Sequence, residues 1–186
     1  MRVVHLDARQ LRTMAHPLRA RLLGLLRTDG PATATRLAQV TGTNTGATSY
    51  HLRQLAEVGL VVEETDRAAG RERWWRAAHD VSSWRPADFE DDPDAAAASD
   101  WMVGFGLRLL AEEAERWTAV QATFSREWRE ASSFSDALLR LTPARLRALM
   151  DEVHELVGRY QATPDDGDDA EQVIVAHLGF PRRVER

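Results

Sequence analysis

A mainly α-helical fold with a small β component is what the sequence predicts: helices and a two-stranded hairpin in residues 1–79, a linker at 80–94, then a long helix and a small α+β region in 95–186. Three observations lead there. Leucines recur at helical spacing through the first 55 residues and then give way to two strand-like runs. Residues 80–94 gather Pro86, Pro93 and the acids Glu90, Asp91, Asp92 and Asp94. Residues 95–129 hold no proline and repeat Val103, Leu107, Leu110, Ala114, Trp117, Phe124 and Trp128 at spacings of 4, 3, 4, 3, 7 and 4.

A short helix is expected at 7–14. Pro17 opens the first clear one, in which Leu18, Leu22, Leu25 and Leu26 share a face, and Asp29-Gly30-Pro31 stops it. A helix at 33–40 with Leu37 and Val40 inward leads through Thr41-Gly42-Thr43-Asn44, a turn that ends in a good N-cap, to a helix at 45–58 stopped by Gly59. Residues 60–64 and 73–77 read as the strands of a hairpin turned by 66–70. The helix of 95–129 is roughly 45–50 Å long, more than this chain alone covers, so a partner helix is expected, with Val103, Leu107, Leu110, Trp117 and Phe124 in the dimer seam. Beyond it a strand is expected at 135–141. Thr142-Pro143 then caps a helix with Leu146, Leu149, Met150, Val153, Val157 and Tyr160 on one face, and a last strand follows at 173–180.

The 186 residues carry 24 basic side chains, all Arg, against 29 acidic ones. The balance is uneven: residues 1–79 hold 12 Arg and 7 acids, a net +5, and residues 80–186 a net −10. A basic first half in an acidic chain suits a polyanion-binding module, although segregated solvated charge gives the same numbers. No apolar run approaches 18 residues and the first residues lack the apolar core of a secretory signal, so no membrane span and a cytoplasmic location are expected. Zero cysteines exclude disulfides, thiolate metal sites and a cysteine nucleophile. No phosphate loop, nucleophile elbow or paired catalytic acids occur, so the expectation is no enzyme and no cofactor.

Residues 33–62 carry the chemistry. Two helices of about 8 and 14 residues joined by a glycine turn have helix-turn-helix spacing, which a simple three-helix bundle also has. Thr48, Leu52 and Leu55 fall on one face of the second helix. The other face presents Thr45, Gly46, Ser49, Tyr50 and Arg53, small or hydrogen-bonding groups suited to a major groove, behind the cap Asn44. Arg67, Arg71, Arg73 and Arg76 lie in or just after the hairpin, where they reach flanking phosphates or are simply solvated.

These residues resemble a known family. Ala15-His16-Pro17-Leu18-Arg19, then Ser49-Tyr50-His51-Leu52 running on to Gly59-Leu60-Val61, then Gly70-Arg71-Glu72-Arg73-Trp74-Trp75 are similar to the ArsR-type winged helix-turn-helix repressors, in the actinobacterial branch with a longer C-terminal region. The resemblance covers about residues 8–78. It implies a homodimeric transcription regulator, most simply a repressor on an inverted-repeat operator in double-stranded DNA, with Thr45, Gly46, Ser49, Tyr50 and Arg53 facing the DNA. Thr48 replaces the more usual aliphatic residue. The alternative is a winged-helix module for protein partners without sequence-specific DNA binding. Metal sensing is not expected, because no Cys exists and residues 95–129 hold no His; Asp151 and His154, one helical turn apart, read more simply as a surface pair. Trp84, Trp101, Trp117 and Trp128 either line a pocket for a small organic effector or fill the core.

Overall fold

In the computed structural model, which describes residues 2–64, 73–165 and 167–182, caps set most element ends in the N-terminal half. Strand β1 (Val3–His5) leads to α1 (Ala8–Met14), where Asp7 and Gln10 form a reciprocal capping box. His16 caps α2 (Pro17–Thr28) by accepting from the Leu18 amide (3.2 Å), with Pro17 in the first turn where its missing N–H costs nothing. After β2 (Ala32–Thr33), Thr33 caps α3 (Ala34–Thr41). Gly42 ends that helix at φ 67°, a left-handed conformation that a side chain disfavours, and the Thr43 amide closes onto the Ala38 carbonyl (2.9 Å). Asn44 caps α4 (Thr45–Glu57) through the Ala47 amide (2.8 Å), and β3 (Val61–Glu63), β4 (Trp74–Ala77) and β5 (Val81–Ser83) follow.

Strand β4 lies between β2 and β3 in an antiparallel sheet, with Ala32 opposite Trp75 and Val62 opposite Arg76. Strands β1 and β5 pair in parallel, Val4 opposite Ser82. Neither β1 nor β5 was expected from the sequence, because three-residue strands carry too little alternation to register. The core gathers Leu11, Leu22, Leu23 and Leu26 with Leu37, Leu52, Leu55, Leu60 and Trp75. Side chains of this size contribute about 1.5–3 kcal/mol each on burial, so this cluster is what holds the helices on the sheet.

Residues 80–94, expected to be a linker, are structured instead. Besides β5, Pro86–Phe89 form a 3-10 turn that buries Phe89, and Asp92 accepts from the Ala95 amide (3.0 Å) at the start of α5 (Pro93–Val120). The prolines start turns there and the acids sit near helix starts, which composition alone reads as a linker. Val40, expected inward, is 52% exposed; in this two-turn helix Leu37 and Ala38 take the buried positions.

Two compact units divide the chain at residues 109 and 110, within α5. In the second, α5 stops at Val120 rather than continuing to 129. Thr118 and Thr123 bond back to the Glu115 and Val120 carbonyls, residues 121–123 tighten into a 3-10 turn, and Ser125 caps a separate α6 (Arg126–Ala131). Phe124 is therefore extended, between helices rather than on the expected seam, although its ring meets Trp117 edge-on (centroids 5.2 Å). Helix α7 (Pro143–Ala162) starts at Thr142-Pro143 as expected. The expected strands of an α+β C-terminal region are absent among the described residues: 133–141 and 173–180 form neither helix nor ladder. A strand-like pattern needs a second strand to supply hydrogen bonds, and the described residues supply none there.

Candidate nucleic-acid interface

Helix α4 is fixed from three sides. Leu52 and Leu55 are fully buried, and the Gln10 side chain donates to the Val58 carbonyl (3.0 Å) at the C-terminal end. At the N-terminal end Thr48, also fully buried, joins a hydroxyl chain: its Oγ1 donates to the Asn44 carbonyl (3.1 Å) and lies 3.0 Å from Thr43 Oγ1, itself 3.1 Å from Thr41 Oγ1. The buried threonine thus satisfies its polar atom and ties the turn to the helix it introduces, which an aliphatic residue would not do.

That anchorage decides what faces outward. Asn44, Thr45, Gly46, Tyr50 and Arg53 are exposed and Ser49 is half-buried. Asn44 Oδ1 is committed to the cap, and Arg53 Nε rests on the Ser49 carbonyl (3.2 Å). Thr45, Ser49 and Arg53 line a cavity of about 450 Å³ together with Arg73 and Trp75 of the hairpin and Thr33, Ala34 and Thr35 at the start of α3. Arg73 makes one loose ion pair with Glu63 (3.7 Å), exposed on both sides and worth little in water. Of the expected residues, Thr45, Ser49, Arg53 and Arg73 therefore meet around one depression, which Asn44, Gly46, Tyr50 and Arg76 do not line. Arg67 and Arg71 lie outside the described residues. Thr35 and Trp75 were missed by sequence reasoning; their signal was position, since one follows the cap of α3 and the other is buried on the central strand of the sheet.

A second group missed in the sequence lies at the other side of Tyr50. The rings of His16 and His51 meet at a tilt of 37° (centroids 4.4 Å), and Tyr50 meets His51 edge-on (5.2 Å). Burial and the Arg19 guanidinium push the His16 imidazole below its ordinary pKa, and burial, His16 and Arg19 do the same to His51. Both are thereby held toward their neutral forms.

The residues expected in a dimer seam are placed as follows. Val103 and Leu107 on α5 are exposed, and Leu110, Trp117 and Phe124 are half-buried. Of the tryptophans, Trp84 packs against the core and donates to Ser99 Oγ (2.9 Å), and Trp101 stacks on Phe105 (4.9 Å). His154, paired in the sequence with Asp151, meets the ring of His177 instead (4.6 Å). No group of three or more His, Cys, Asp or Glu suited to a metal occurs among the described residues, and no described helix is long and apolar enough to cross a membrane.

Residues 14–64 match the helix-turn-helix domain family. Together with the three-helix core and the antiparallel hairpin, this defines a winged helix-turn-helix domain, of the class transcription regulators use to bind DNA. Its sequence likeness is to ArsR-type regulators, and the residues that carry it begin α2, run through α4 into β3 and enter β4. Among solved structures, the homodimeric winged helix-turn-helix DNA-binding domain of a possible ArsR-family transcriptional regulator from Mycobacterium bovis is similar at 23% identity, over 57% of this chain and 77% of that one (TM-score 0.36). A possible transcriptional regulator for arsenical resistance is 30% identical over 63% of this chain and 97% of that one (TM-score 0.33). The adhesin competence repressor AdcR from Streptococcus pyogenes is 13% identical over 77% and 80% (TM-score 0.33). No curated protein matches the chain.

Proposed function

We propose that the chain is a cytoplasmic, homodimeric, sequence-specific regulator of the ArsR type that represses transcription by occupying an inverted-repeat operator. Helix α4 enters the major groove, with Thr45, Ser49 and Tyr50 toward base edges and Arg53 and Arg73 toward phosphates. The supporting observation is the convergence of Thr45, Ser49 and Arg53 with the hairpin's Arg73 around one depression whose lining includes two arginines and no carboxylate among the described residues. The seam on α5 joins the two copies through Val103, Leu107, Leu110 and Trp117. Of the four tryptophans weighed for an organic effector, Trp84 and Trp101 are taken up in packing and a hydrogen bond, which supports the core reading for those two.

The test is a salt titration of each variant on an operator recovered from random duplexes and on an unrelated duplex. Arg73→Ala weakens binding to both and lowers the salt slope by about one unit per lost phosphate contact. Ser49→Ala and Tyr50→Ala cost roughly 1–3 kcal/mol on the operator and little on random DNA. Equal losses on both duplexes for all three variants would mean that α4 does not read sequence. A protein-interaction module would then be the better reading.

A further inference from the structure

The second half of the chain has no core of its own: from residue 110 onward no described residue is buried. Phe134, Leu138, Ile174, Val175, Leu178 and Phe180 are each 61–80% exposed. With Leu139 (58%) and Leu141 (40%), these side chains leave a large apolar surface in water, four of them within residues 134–141. They lie in the two segments whose sequences alternate like strands and which find no ladder among the described residues. One flank of the later segment is already occupied. A Cβ at Gly179 would lie 2.8 Å from Met150 Sδ, and His177 meets His154, so this stretch runs back along α7. The earlier segment, 134–141, is exposed at every residue.

Its sequence, Phe134-Ser135-Asp136-Ala137-Leu138-Leu139-Arg140-Leu141, is complementary to itself in reverse. In an antiparallel pair centred on Leu138, Asp136 stands opposite Arg140 of the partner subunit, and the reciprocal pair forms across the two-fold axis. Asp136, Leu138 and Arg140 then share one face. Ser135, Ala137, Leu139 and Leu141 share the other, which becomes an apolar strip built from both copies. A shift that centres the pair on Asp136 or on Arg140 sets like charges against each other. The charge balance also bears on the occupant. Residues 80–186 carry a net −10, which disfavours an anionic membrane, whereas this stretch carries one charge of each sign.

We propose that residues 134–141 pair as an antiparallel strand with the same segment of a second copy of this chain, with the two-fold axis at Leu138. The inference rests on the dimeric part of the proposed function but adds an interface separate from the α5 seam. Strand addition at an exposed edge satisfies backbone groups and buries apolar side chains together, which neither segment achieves among the described residues.

The absence of cysteine makes the test direct, since any disulfide must come from an introduced residue. Single variants Ala137→Cys, Leu138→Cys and Leu139→Cys of the full chain are oxidised and dimer formation is timed on non-reducing gels. Leu138→Cys is expected to link at least tenfold faster than either neighbour alone, because only the residue on the axis faces its own copy within disulfide reach. Ala137→Cys mixed with Leu139→Cys is expected to link as a heterodimer. Asp136→Arg should weaken dimerisation about tenfold by light scattering at low salt, and Asp136→Arg with Arg140→Asp should restore it.

A flat scan, a maximum at another position, a failed charge-swap rescue, or a monomer that instead floats with phosphatidylcholine vesicles would overturn the proposal. A dimer that binds its operator but gives a flat scan removes this interface and leaves the DNA-binding reading intact. A Leu138→Cys link in a protein without operator preference does the reverse.

Discussion

Acid should unfold this protein partly through one histidine that lies outside the depression beside α4. His79 follows strand β4 and is 1% exposed. Its Nε2 accepts from Arg27 Nη2 and lies 2.9 Å from Ser82 Oγ, which also accepts from Arg27 (2.7 Å). Arg27 always donates, so the imidazole proton sits on Nδ1, and protonating Nε2 would set a second cation against the guanidinium. Burial first, and Arg27 second, lower the His79 pKa from 6.5 to about 4. Burial likewise lowers Arg27 to about 10, so Arg27 remains charged throughout the range of interest.

The folded-state value lies below the unfolded one, so the unfolded chain takes up the proton first. The contribution to stability is complete above pH 6.5 and declines as the pH falls toward about 4. At about 1.4 kcal/mol per pH unit the ceiling is about 3 kcal/mol, and solvent screening near the exposed Asp80 brings the expected loss to about 2 kcal/mol. His16, His51 and His177 shift in the same direction, so the measurement must isolate His79. His79→Gln keeps an acceptor for Arg27 and a donor but does not titrate. Urea unfolding of both proteins at pH 7.5 and 4.5 should show the wild type losing about 2 kcal/mol more than the variant. Equal losses within about 0.5 kcal/mol, or a His79 imidazole titrating near 6.5 by NMR, would refute the reasoning.

Thr48→Val should cost about 1 kcal/mol in thermal denaturation despite its similar shape, because it removes the hydroxyl that bonds the Asn44 carbonyl; a neutral result would show that packing alone holds α4. Gly42→Ala should destabilise by about 1 kcal/mol, since φ is 67° there, and the cost should be absent if the turn relaxes. Leu110→Glu with Trp117→Glu should give monomers or insoluble protein by light scattering, and a fully dimeric variant would remove α5 from the interface. Zinc, cadmium and arsenite should leave DNA affinity unchanged, as the chain has no thiolate and α5 no histidine; tight stoichiometric release of DNA by any of them would count against this.

The parts legible in the sequence were those decided locally. Asn44, Thr142 and Pro143 act at the helix starts their types favour, and Thr48, Leu52 and Leu55 recur at a helical period that only one face can satisfy. Two strands of the hairpin were legible for the same reason, and with them Arg73, although its cavity neighbours Thr33 and Thr35 come from another element. What escaped depends on distant pairing. Strand β1 finds β5 across 78 residues, and the His16–His51 ring contact joins two helices whose histidines look unrelated in order. The heptad-like seam misled beyond Val120 because spacing ignores hydroxyls: Thr118, Thr123 and Ser125 offer the backbone local bonds that end one helix and begin another.

The division of buried surface carries a consequence for how the two halves depend on association. The first unit closes its own core around Leu11, Leu22, Leu52 and Leu55, and every cap of its helices from α1 to α4 is made within it. The geometry of Thr45, Ser49 and Arg53 therefore needs no second copy. Among its described residues the second unit buries none fully and leaves large apolar side chains in water, so its order rises with the concentration of whatever covers them. Dilution of a dimer held there should leave α4 and its depression intact while loosening residues 134–141 and 173–180. Affinity for a single half-site would then survive conditions that abolish binding to the inverted repeat, because the bidentate gain is lost before the reading head unfolds.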